Sequence, residues 1–82
     1  MIGRIPTVQR DSLTGMMTRQ CACYWLGWLI EEHDFAGGVF DSADQRNKAV
    51  DIYTNLKLSL QIQGVFSWDV LESLVERYRG KR

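Results

Sequence analysis

The chain has one proline, one histidine and two cysteines in 82 residues, and each scarcity closes a route to function. Pro6 stands alone, so there is no proline-rich recognition segment or linker. Two cysteines do not make the disulfide framework on which small secreted folds depend. Cys21 and Cys23 lie in a segment read as helix, where residues two apart point about 160° from each other, so they do not bond to one another. A structural zinc site asks for four ligands in paired spacing. Cys21, Cys23 and His33 offer three in the wrong arrangement, and neither a metal nor another cofactor is expected. His33 followed by Asp34 is a neighbour pair, not a catalytic triad, and no serine sits in a nucleophile elbow. Gly37-Gly38 lacks the lysine and hydroxyl of a phosphate loop. The chain does not read as an enzyme.

Net charge is missing too. Ten basic and ten acidic residues balance to zero, which removes any bulk field for nucleic acid or an anionic membrane. The charges are unevenly placed. Arg4, Arg10 and Arg19 stand against Asp11 in residues 1–20, while 31–51 hold Glu31, Glu32, Asp34, Asp41, Asp44 and Asp51 against Arg46 and Lys48. The third stretch is basic again, with Lys57, Arg77, Arg79, Lys81 and Arg82 against Asp69, Glu72 and Glu76. No apolar run approaches the roughly 20 residues of a membrane span, and no secretory segment opens the chain. A cytoplasmic protein without membrane association is expected.

What the chain does have is one uninterrupted apolar run, Cys21 to Ile30 (CACYWLGWLI). Ten successive helical positions cover every face, and a helix apolar all round is buried all round. A chain this short buries only about 60–65% of its unfolded surface. The run therefore predicts a second copy of the chain or another protein as cover.

The remaining pattern predicts an all-α fold in a single domain: an extended arm over 1–11 and helices over 12–33, 42–63 and 67–79. Ile2, Ile5 and Val8 pin the arm, and Asp11 or Ser12 caps the first helix. Phe35, Val39 and Phe40 fold back as a plug after the Gly37-Gly38 break. Ser42 with Gln45 fits a capping box, and Ala49, Ile52, Tyr53, Leu56 and Leu60 make one helical face. Residues 56–63 (LKLSLQIQ) also alternate as a strand would, but leucine, lysine and glutamine favour helix. Gly64 suits a helix end. Ser67 caps the third helix, Phe66 and Leu71 form its staple, and Trp68, Leu71, Leu74, Val75 and Tyr78 are its apolar stripe. The architecture is a three-helix unit, a long hairpin with a short C-terminal helix, dimeric.

Tyr24, Trp25 and Trp28 share the first helix with Cys23 and Gly27, a small-residue side open to close approach. Gly27 costs about 0.8–1 kcal/mol of helix propensity against alanine, so a packing reason is expected. With Leu58 and Ile62 on the off-side of helix two, these residues form the predicted protein interface. Glu31, Glu32, Asp34, Asp41 and Asp44 are an acidic contact set. Arg4, Arg10, Arg77, Arg79, Lys81 and Arg82 are the phosphate contacts of the rival reading, a nucleic-acid-binding regulator. Against that rival, the third helix shows Asp69, Glu72 and Glu76 outward, whereas phosphate contacts need cations. The expected function is stoichiometric binding of another protein by a small homodimer, as a regulator or inhibitor. Short, motif-free, charge-balanced chains are typical of bacterial and phage regulators, including inhibitors of host defence.

Overall fold

The computed structural model describes residues 5–55 and 66–79. Three helices occupy 65% of them, α1 at Arg19–Ala36, α2 at Ala43–Thr54 and α3 at Trp68–Arg79. The fold is all-α. Among the described residues the only extended pairing is an isolated antiparallel bridge, Arg10 with Met17.

That bridge corrects the expected start of the first helix. Asp11 caps a tight loop instead: its carboxylate accepts the amides of Leu13 at 2.8 Å and Thr14 at 3.0 Å. Gly15 takes a φ of 73°, a conformation that glycine reaches without strain. The chain then turns back, with the Asp11 amide donating to the Met16 carbonyl at 2.7 Å and the Thr18 amide to Gln9 at 2.9 Å. Short side-chain-to-backbone bonds at aspartate and threonine compete with helix, and here they win over the helix formers Leu13, Met16 and Met17. Helix α1 begins seven residues late, at Arg19, after the N-cap Thr18, whose hydroxyl accepts the Cys21 amide.

The other two starts fall where the sequence puts them. Ser42 accepts the Gln45 amide at 3.1 Å, and Gln45 returns its side chain to the Asp41 amide at 2.7 Å. Ser67 accepts the Val70 amide at 3.3 Å. Helix α2 closes early, with Asn55 as its C-cap. The expected continuation through 56–63, with Leu56, Leu58, Leu60 and Ile62, lies outside the described residues.

The core sits where α1 meets everything else. Trp25, Leu26 and Leu29 of α1 are fully enclosed with Phe66, Leu71 and Val75. Trp28 lies edge-on between Trp25 and Tyr78, with ring centroids 5.8 and 5.5 Å apart. Ala49 and Ile52 close the α2 side, and Ile5 and Val8 of the arm pack partly buried against the same cluster. The arm is also hydrogen-bonded to α1: the Thr7 carbonyl accepts from the Trp25 indole and the Cys21 thiol, both at 3.3 Å.

Two further expectations are corrected by this packing. Val39 and Phe40 do plug the α1–α2 corner, but Phe35 is 66% exposed. The plug is fixed by His33, whose Nδ1 accepts the amides of both Val39 and Phe40 at 3.2 Å. The apolar run, moreover, has its cover within one chain. Six of its ten residues are buried, Cys23, Gly27 and Ile30 are half-buried, and only Tyr24 is exposed. Arm, α2 and α3 each take a side of α1, so the run does not by itself require a second copy.

Candidate functional site

An open groove of about 600 Å³ runs between the arm, α1 and the end of α2. Pro6, Thr7 and Gln9 form one rim; Gln20, Cys23, Tyr24, Gly27 and Glu31 form the α1 wall, and Tyr53 faces them from α2. The wall follows from helical spacing. Gln20, Tyr24, Gly27 and Glu31 recur at steps of four, three and four, which places them along one stripe of α1. The Gln20 side chain donates to the Tyr24 hydroxyl at 3.5 Å. Tyr24 is 62% exposed and Tyr53 44%, so two large rings stand open to solvent on rigid elements.

Gly27 shapes this groove. A Cβ built there would lie 3.1 Å from Tyr53 Cε1 and 3.5 Å from its hydroxyl. The absence of a side chain on α1 is what seats Tyr53. The close approach expected at Gly27 is therefore made by the chain's own second helix, and Tyr53 belongs to the groove rather than to the core face assigned to it.

The predicted interface residues thus divide. Cys23, Tyr24, Gly27 and Trp28 line the groove, though Trp28 is buried to 7% exposure. Trp25 is sealed inside and presents nothing to a partner, which corrects its placement in the interface. Leu58 and Ile62 lie outside the described residues. Cys21 and Cys23 are both free thiols, the first tied to the arm by the Thr7 bond and by the Gln9 amide at 3.3 Å.

The members of the acidic set have different surroundings. Glu31 is exposed on the groove. Asp34 is taken by Arg46 in a two-pronged pair at 3.1 and 2.8 Å, which holds its carboxyl below the usual range. Asp44 occupies the first turn of α2, where the helix dipole favours negative charge. Asp41 borders a second groove of about 320 Å³ that also touches Asp69 and Arg77. Glu32 is half-buried, and its Oε1 has no hydrogen-bond partner.

Two of the three described members of the basic set, Arg10 and Arg79, are ion-paired within the fold. Arg10 reaches α3 and pairs two-pronged with Glu72 at 3.0 and 2.9 Å, with Glu76 3.7 Å away. The guanidinium holds the Glu72 carboxyl below its usual range. Arg79 pairs with Glu76 at 2.9 Å, and Arg77 lies 5.6 Å over the Tyr78 ring. A phosphate contact at Arg10 or Arg79, as the rival reading has it, would compete with these carboxylates. Arg4, Lys81 and Arg82 lie outside the described residues.

Sequence reasoning missed Pro6, Thr7, Gln9, Gln20 and Tyr53 as groove residues. Only the cost of Gly27 pointed this way, since a glycine inside a helix asks what occupies its missing side chain. Compared with protein families, with curated proteins and with solved structures, the chain finds no match.

Proposed function

We propose that this protein is a small interaction module that binds another protein stoichiometrically through the arm–α1–α2 groove, altering or blocking what that protein does. The observation that carries the reading is the pair of open rings, Tyr24 and Tyr53, on facing helical walls. Tyrosine is enriched at binding hot spots because it offers a large rigid surface and a polar tip. The walls are preformed by the Gly27–Tyr53 approach and by the Thr7 bonds to Trp25 and Cys21, so little order has to be gained on binding. Rim groups on Thr7, Gln9 and Gln20 supply hydrogen bonds around an apolar floor, the usual anatomy of such an interface. A role as regulator or inhibitor in a bacterial or phage setting fits this stoichiometric mode.

A photo-crosslinking side chain placed at Tyr24 in the expressed full chain tests the reading. A discrete one-to-one adduct is expected there, with none from the same group at Asp69 on the exposed side of α3. Equal capture at both positions, or capture at Asp69 alone, would remove the groove as the binding surface.

A further inference from the structure

The chemistry of the groove names its occupant more closely. Tyr24 and Tyr53 are open, and neither ring packs against another aromatic ring among the described residues. Phenol faces are electron-rich and attract a cation held within about 6 Å. Glu31, two turns along α1 from Tyr24, is the only charged residue among the described ones lining the groove, and no described cation pairs with it. The groove also lies against the C-terminal end of α2, where Tyr53 is the penultimate helical residue. Helix C-termini carry partial negative charge, and Asp51, exposed one turn short of that end, adds to it.

Rings, carboxylate and helix end all favour a cation, and no described residue lining the groove carries a positive charge. We infer that the groove takes a basic side chain, arginine or lysine, presented by a partner protein, its charged head between the tyrosine rings and against the Glu31 carboxylate. The inference rests on the groove being the binding surface. Arginine suits it best, because a guanidinium stacks on a ring and forks to a carboxylate at once. A phosphate-bearing partner is disfavoured by the same Glu31.

The test uses the isotope-labelled full chain at low salt, titrated by NMR with a capped Gly-Arg-Gly-Arg-Gly peptide and its citrulline counterpart. Citrulline keeps the shape and removes the charge. Saturable shifts at the amides of Tyr24, Gly27, Glu31 and Tyr53 are expected for the arginine peptide, with citrulline much weaker. Tyr24→Leu and Glu31→Gln should each weaken binding about two- to five-fold, while Tyr24→Phe, which keeps the ring face, stays within about two-fold of the parent. Both replaced side chains are exposed, so the fold is not at stake. No binding, equal binding of citrulline, or shifts confined to Glu72 and Glu76 would overturn the proposal. The crosslink at Tyr24 separates the two levels. A captured partner segment that is neutral or acidic leaves the groove reading standing and removes the cation, whereas failure of the crosslink itself removes both.

Discussion

At the scale of single residues, Gly27 shows how one missing methyl group sets a surface. Alanine there gains about 0.8–1 kcal/mol of helix propensity but must push back a ring at 3.1 Å. Tyr53 is 44% exposed, and the atoms it presents to Gly27 are the far end of its side chain, free to swing outward. Gly27→Ala is therefore expected to stabilise the protein by about 0.5 kcal/mol while displacing the Tyr53 ring slightly from its seat. Denaturant melts give the sign, and a lowered midpoint would mean that Tyr53 is held in place by more than this contact. Stability and binding are opposed at this position. The glycine costs the helix propensity and in exchange leaves the space in which Tyr53 sits.

The helices show what the sequence makes legible and what it hides. Ser42 and Ser67 were readable because each stands directly before a periodic apolar stripe, with no other structure competing for the same residues. Thr18 was not. Between Asp11 and Thr18 the residues Leu13, Met16 and Met17 are good helix formers, and an amphipathic pattern runs through them without a break. The contrary signal was Gly15 four residues after Asp11, the composition of a tight loop, outweighed by the long run that follows. Thr18→Ala should accordingly cost about 1 kcal/mol, and Ser12→Ala, on an exposed loop, less than about 0.5 kcal/mol. Thermal melts of the two variants check the boundary: equal losses would return the helix start to Asp11–Ser12. The groove was half legible for the same kind of reason. Its α1 wall follows from spacing along one helix, whereas the arm rim and Tyr53 depend on tertiary packing that no local pattern encodes. Trp25 and Tyr24 are neighbours of similar character, and it is tertiary packing that seals the first in the core and leaves the second open.

At the scale of the molecule, one ion cluster and one question of assembly matter most. Arg10 joins the N-terminal loop to α3 through Glu72, and the lowered Glu72 carboxyl carries a pH dependence with a definite sign. A carboxylate held below its ordinary value contributes stability that is complete above that value and is lost as acid protonates it. Asp34, held low by Arg46, acts in the same direction. Unfolding midpoints should be flat near neutrality and fall below roughly pH 4, and Glu72→Gln should make that fall shallower; an unchanged acid limb would show that the clasp contributes nothing. Assembly turns on how much surface one chain leaves open. The accessible surface is 5421 Å², against about 5,050 Å² for a compact monomer of this mass, and among the described residues the apolar run of α1 leaves only Tyr24 exposed. The radius of gyration, 12.0 Å, is close to the roughly 11.7 Å of a compact domain of this length. Among the described residues the exposed large apolar side chains, Leu13, Met16, Tyr24, Phe35 and Tyr53, belong to the loop, the α1 end and the groove rather than to one side of α1. Light scattering after size exclusion at tens of micromolar should therefore give the monomer mass of 9.5 kDa. A species of twice that mass that falls apart on Tyr24→Arg would show instead that the groove is filled by a second copy, and that the apolar run is covered twice over.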